Sequence, residues 1–109
     1  MPGKFLLSKS GTSFRFTLLA GNDEKILSSE SYTAKAGATN GIESVKKNAT
    51  DDARYARLNS KSNQPYFVLK AANNEIIGTS QMYGSPEARD KGIEAVKAAA
   101  PLAPVVEQP

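Results

Sequence analysis

The chain contains neither cysteine nor histidine. The first absence excludes disulfides, thiolate nucleophiles and zinc sites built on thiolates. The second removes the Ser-His and Cys-His nucleophile pairs, the usual transition-metal ligand and the one side chain that titrates unperturbed near neutral pH. No G-x-G-x-x-G or Walker sequence occurs, so no phosphate-cradling loop is expected. Asp51 and Asp52 are adjacent acids without the spaced oxygen ligands or the glycine of a calcium loop, and read as solvated linker. Long apolar runs are missing as well. Phe5, Leu6 and Leu7 are three consecutive apolar residues, too few for a signal-peptide core, and no run approaches membrane-spanning length. The expectation is a cytoplasmic protein without metal, cofactor or membrane association. It is also non-enzymatic, because general acid–base work would rest on carboxylates or lysines alone.

What is present fits a single domain spanning 1–109. The 109 residues are 39% hydrophobic and 23% charged, enough for a modest core if the whole chain shares it. The net charge of +3 is spread along the chain, whereas dedicated nucleic-acid binders cluster their basic residues.

The strongest signal is internal repetition. Shifting the sequence by 51 positions aligns Phe14–Ala49 with Pro65–Ala100 without a gap, and 14 of the 36 columns are identical, against roughly two by chance. The identities include Phe16/Phe67, Leu18/Leu69, Asn22/Asn73, Ser29/Ser80, Tyr32/Tyr83, Gly41/Gly92, Ile42/Ile93, Glu43/Glu94, Val45/Val96 and Lys46/Lys97. With one residue of slippage, Lys4-Phe5 falls on Arg54-Tyr55, so two repeats are delimited at about 3–52 and 53–106, leaving 107–109 as a frayed terminus.

Each repeat reads as three strands and a helix. Phe14, Phe16, Leu18 and Ala20 alternate with Arg15 and Thr17, and Phe67, Leu69 and Ala71 with Tyr66, Val68 and Lys70. Gly21-Asn22-Asp23 and Ala72-Asn73-Asn74 are turn sequences, returning the chain into third strands at 25–31 and 75–82. The period then changes: Ala38, Gly41, Ile42, Val45 and Ala49 mark one helix face, and Gly92, Ile93, Val96 and Ala100 the same face of a second. Ser85 caps the second helix, with Pro86 at its first position, while Ala34 stands at the corresponding place in the first. Glycine inside both helices costs each about 1 kcal/mol relative to alanine, which a close approach of another element would explain. Val105-Val106 falls where Arg54-Tyr55 begins a strand, so a short edge strand is expected there.

Phe16-Thr17-Leu18 with Ala20-Gly21-Asn22, the stretch Gly41 to Ala49, the run Pro65 to Asn73, Ile77-Gly78-Thr79-Ser80 with Met82-Tyr83, and Gly92-Ile93 together resemble the YegP-like family of small bacterial proteins. The resemblance covers nearly the whole chain. It implies an α+β fold: one antiparallel sheet built by a tandem β3-α(-β) repeat, pseudo-twofold, with the strand after each helix exchanged between repeats and both helices packed on the sheet. The family carries no established activity, so the resemblance supplies no functional residues.

The shared polar residues have structural readings. Glu43 and Lys46, like Glu94 and Lys97, are spaced for pairing on a solvated helix face. Asn22 and Asn73 are turn residues; Ser29 and Ser80 have no base to activate them; Tyr32 and Tyr83 suit buried rings with a hydroxyl bonded to backbone. If both helices cover one face of the sheet, the other displays Arg15, Thr17, Leu19, Tyr66, Val68 and Lys70. Arg15, Tyr66 and Lys70 are the candidate site. They suit a protein partner first, with single-stranded nucleic acid as the alternative, since a basic and aromatic sheet can stack bases and pair phosphates. Duplication supplies a twofold contact within one chain, so a monomer is expected.

Overall fold

The computed structural model describes residues 3–107. Strands β1 (Lys4–Ser10) and β2 (Ser13–Leu19) form a hairpin whose two-residue loop takes Gly11 to φ 61°. Chain reversal into β3 (Lys25–Ser28) uses Asn22, whose side-chain carbonyl accepts the Glu24 N–H at 3.1 Å, with Asp23 at φ 65°. After α1 (Lys35–Asn48) and a 3-10 turn at Asp52–Arg54 the sequence of elements recurs. β4 (Tyr55–Asn59), β5 (Pro65–Lys70), β6 (Ile76–Thr79) and α2 (Pro86–Ala99) follow, with Asn73 accepting from Glu75 N–H at 3.1 Å and Asn74 at φ 68°. The residue of slippage lies in the β4–β5 loop, where five residues lie between Asn59 and Pro65 but four lie between the paired Lys9 and Phe14.

All strands join one mixed α+β sheet in the order β4-β5-β6-β3-β2-β1-β7. The two groups of three strands meet at β3 and β6 through the antiparallel pair Ser28↔Thr79. The strand at the end of the chain departs from the expected all-antiparallel sheet: β7 (Val105–Glu107) runs parallel to β1, with Val105 opposite Phe5 and Glu107 opposite Leu7. β4, the strand after α1, lies antiparallel on β5. On β2 that place is held by β1, so the strand after α2 adds outside β1 instead. Glu107, expected in a frayed terminus, closes β7 and ion-pairs with Lys35; 108–109 lie outside the described residues.

The third strands stop three residues short of the extent expected from the sequence, and the serines are the cause. Phe16 N–H donates to Ser29 Oγ at 2.9 Å, and Phe67 N–H to Ser80 Oγ at 2.9 Å. Each hydroxyl donates onward to the next carbonyl, Glu30 at 2.7 Å and Gln81 at 2.8 Å. A side chain thus fills a ladder position, the backbone swings out, and pairing resumes only at Tyr32 against Phe14 and at Tyr83 against Pro65. Register shifts where β2 meets β3 and β5 meets β6 turn successive residues inward, which is why Ile26 and Leu27 are both buried.

Both helices cover the same face of the sheet. Phe5, Phe16, Leu18, Phe67 and Leu69 point into one core with Ile42, Val45, Ile93 and Val96, and burying each large side chain contributes about 1.5–3 kcal/mol. α1 rests on β2 and reaches β6, while α2 rests on β5 and reaches β3, so the helices tie the two groups of strands together. Gly78 leaves room at their junction: a Cβ there would meet Leu27 Cγ at 2.6 Å.

Candidate contact surface

Residues shared by the two halves are occupied in holding the fold. Tyr32 and Tyr83 stack on Phe16 and Phe67 with centroids 6.3 Å apart and planes 13° apart in both cases. Their hydroxyls reach over the helices at Gly41 and Gly92, where any Cβ would collide with them. That contact accounts for both helical glycines. Burial raises the pKa of both phenols, and the Tyr83 hydroxyl has no hydrogen-bond partner among the described residues, contrary to the expected backbone bond. Lys46 lies over the Phe5 ring at 5.9 Å and Lys97 over Tyr55 at 5.8 Å, so these lysines cap aromatic core residues as well as lining a helix face.

The acidic linker is more than solvated chain. Asp51 accepts the Ala53 N–H at 3.0 Å, and Asp52 accepts from Lys97 at 2.8 Å and lies 3.6 Å from Arg57, which in turn donates to Asp90 at 3.2 Å. The Lys97 hydrogen bond holds the Asp52 carboxyl below its ordinary pKa, and Asp52 in turn raises Lys97. Arg57 does the same to Asp90. The partners are 33 and 45 residues apart, so no local spacing could signal the network.

The face away from the helices is laid out by register. Across it, level with one another, run Ala56, Val68, Thr79, Ser28, Thr17, Leu6 and Val106. Arg15 and Lys70 lie two residues to one side of this row, and Tyr66 two residues to the other. Arg15 is exposed, and Tyr66 and Lys70 are half-buried. Strands β2 and β5 are separated by three strand spacings, about 14 Å, so Arg15 and Tyr66 do not converge. Leu19 and Val68, expected to be displayed, are only 6% and 3% exposed. Leu19 is flanked across the sheet by Lys4 and Lys25, and Val68 by Ala56 and Thr79, so neighbours on the same face enclose them.

Exposed apolar side chains lie at both ends of the sheet: Val105 and Val106 on β7, 43% and 41% exposed, and two more in the second half. Leu58, 40% exposed, pairs with Tyr66, and Ile76, 50% exposed, pairs with Lys70. At the corresponding places the first half carries Ser8, Arg15, Leu19 and Lys25, of which only the buried Leu19 is apolar. Leu58 was legible, since Tyr55 and Arg57 alternate with Ala56 and Leu58 along β4, yet the alternation does not say how much of Leu58 stays uncovered.

A cleft of about 350 Å³ lies between the Ala20–Glu24 turn and α2, lined by Ile26, Tyr83, Ala88 and Lys91 among others. Glu24 and Lys91 are the charged residues of its lining. No group of three acidic residues that could hold a metal ion occurs among the described residues. No helix among them is long and apolar enough to cross a membrane.

A small α+β domain with one uncovered sheet face is the class defined by this geometry. The family described as "Domain of unknown function (DUF1508)" matches the chain twice, at residues 10–55 and 60–107. The chain belongs to this family, whose members include the UPF0339 and YegP proteins it resembles. The UPF0339 protein of Bordetella pertussis is 56% identical over 108 residues, 99% of this chain and 97% of the relative. UPF0339 protein YegP of Escherichia coli O157:H7 is 52% identical over 99 residues, 90% of each chain. The solution NMR structure of a UPF0339 protein from Shewanella oneidensis matches with a TM-score of 0.92 at 53% identity, covering 98% of this chain and 92% of that one. That of the E. coli protein of unknown function yegP matches at 0.93 and 47%, covering 99% and 94%.

Proposed function

We propose that this chain is a non-enzymatic interaction module whose working surface is the apolar sector of the uncovered sheet face, Ala56, Leu58, Tyr66 and Ile76. The supporting observation is the asymmetry between halves: the residues they share are occupied in the fold, whereas Leu58 and Ile76 are exposed apolar side chains where the first half carries Ser8 and Lys25. The two halves are a duplicated unit related by an approximate twofold between β3 and β6, a reading supported by the matching bonds of Ser29 and Ser80. Such an internal pairing favours a monomer that meets its partner with one face, in the cytoplasm. Single-strand nucleic-acid binding is the weaker reading, because it needs Arg15 and Lys70 beside Tyr66 and they are spread across the sheet.

The test places a photo-crosslinking amino acid at position 66 and, separately, at the exposed helix position 43, in the native host. A discrete adduct from 66 with none from 43 supports the sector as a protein contact. No adduct from 66, or the same adducts from both positions, overturns it. An adduct from 66 that nuclease degrades supports the nucleic-acid reading instead.

A further inference from the structure

The uncovered sector ends at a sheet edge, and the edge itself is a site. Phe67 exchanges bonds with Ser80, its N–H to Ser80 Oγ and its carbonyl from Ser80 N–H, so it faces β6. Antiparallel pairs alternate, so Tyr66 and Val68 face β4 and bond Leu58 and Ala56. The backbone groups of Tyr55, Arg57 and Asn59 therefore point outward, where no strand among the described residues pairs with them. Tyr55 N–H is bonded to the Asp52 carbonyl. The Tyr55 carbonyl, both groups of Arg57 and the Asn59 N–H remain as an open ladder.

The other end of the sheet shows what such a ladder takes. Tyr55, Ala56 and Arg57 occupy the places of Phe5, Leu6 and Leu7, on whose outer side β7 lies parallel, with Phe5 N–H donating to the Pro104 carbonyl at 2.8 Å. In that register an added strand sets its Val106 equivalent beside Ala56, next to exposed Leu58. Its Glu107 equivalent sits beside Arg57. The Arg57 guanidinium engages Asp90 through Nε and Asp52 through Nη2, which leaves Nη1 for a further carboxylate. Self-pairing of two β4 edges about Arg57 would instead set two guanidinium groups opposite one another, which is unfavourable.

We propose that the β4 edge captures an extended segment of another protein, running parallel to β4, with an apolar residue against Ala56 and Leu58 followed by an acidic residue against Arg57. Main-chain bonds supply the affinity and these two side chains the selectivity, as in other strand-addition complexes. The inference rests on the contact-module reading and specifies the partner's chemistry.

The probe is a synthetic peptide with the sequence of residues 103–109, Ala-Pro-Val-Val-Glu-Gln-Pro, titrated to millimolar concentration into the isotope-labelled full chain. Expected are amide shifts at Arg57 and Asn59, slowed hydrogen exchange at Arg57 N–H, and binding about two- to five-fold weaker when the peptide Glu is replaced by Gln, a difference that Arg57→Gln abolishes. Shifts confined to β1 and β7, meaning the peptide only replaces β7, overturn the proposal, as does silence at β4. An Arg57-dependent dimer in light scattering overturns it in favour of self-pairing. If β4 is silent while position 66 still gives its discrete adduct, the edge reading fails alone; if both are silent, the contact module fails with it.

Discussion

Replacing Gly41 by alanine tests whether the tyrosine contact dictates the helical glycines. In an unobstructed helix the change stabilises by about 1 kcal/mol. Here the new Cβ would lie 2.6 Å from Tyr32 Oη, 2.9 Å from Phe16 Cε2 and 3.1 Å from Tyr32 Cζ. None of these atoms is the end of a flexible chain. Phe16 is fully buried, with Phe5 edge-on at 5.9 Å and Tyr32 stacked on it. Overpacking against such rings costs about 1–3 kcal/mol, so the expected net effect is a loss of about 1 kcal/mol, or a few degrees in Tm. Tyr32→Phe removes the nearest atom but leaves Phe16 Cε2 at 2.9 Å, so this background isolates the hydroxyl's share of the clash. In it Gly41→Ala should cost less than in the wild type, a coupling of up to about 1 kcal/mol. Urea unfolding followed by far-UV circular dichroism, with unchanged m values, measures all four proteins. If Gly41→Ala stabilises the wild type by the helical amount, or costs the same with Phe at position 32, the hydroxyl does not dictate the glycine.

Ser80→Ala and Ser29→Ala should each cost about 1–3 kcal/mol by stranding the buried N–H of Phe67 or Phe16, and should cost alike because the two bonds are alike; two very different values in urea unfolding would refute this. Gly78→Leu should destabilise by about 3 kcal/mol or more, while adding Leu27→Gly should recover about 2 kcal/mol relative to the sum of the single changes, since one side chain fills the space between β3 and β6. Tyr55 is buried with its hydroxyl donating to the Ala49 carbonyl at 2.7 Å, and its pKa is raised far above 10.0, chiefly by desolvation. Stability should therefore hold up to about pH 10 and fall above it, as the unfolded chain ionises and the native phenol resists, and Tyr55→Phe should flatten that loss in alkaline unfolding curves. Asp52 and Asp90 have lowered pKa values, so their contribution is present above the ordinary carboxylate pKa of 3.8 and disappears as pH falls through the lower native value. Both are exposed, so 1 M salt should erase most of the difference between wild type and Asp52→Asn.

The features legible in the sequence are those fixed by neighbours along the chain. The turns at Asn22 and Asn73, the Ser85 cap and the helix faces through Ile42 and Ile93 all follow from local spacing. What was not legible depends on residues far apart in sequence. The repeat offset marks β7 as a strand but cannot give its direction, which is decided by β1 already holding the place on β2. The early ends of β3 and β6 come from hydroxyls bonding backbone 13 residues away. Leu19 and Val68 sit at outward positions in their strands, yet the side chains across the sheet bury them. Arg15, Tyr66 and Lys70 share a face as their positions imply, but strand order sets Arg15 three strands from the other two, and no reading of one strand supplies strand order.

Two halves packed across a shared boundary cannot remain identical there. Leu27 and Gly78 correspond in the repeat and meet where β3 adjoins β6, so a leucine on one side requires a small residue on the other. The strands after the two helices are unequal as well: β4, after α1, pairs antiparallel with β5, whereas β7, after α2, lies parallel beside β1. The sheet therefore ends in β4 on one side and in β7 on the other. Leu58 and Ile76 are exposed in the half that ends in β4, where the other half carries Ser8 and Lys25, and Val105 and Val106 are exposed on β7 itself. A surface that receives a partner strand needs apolar contacts beside the ladder that binds it, and at β4 the exposed Leu58 stands in that place.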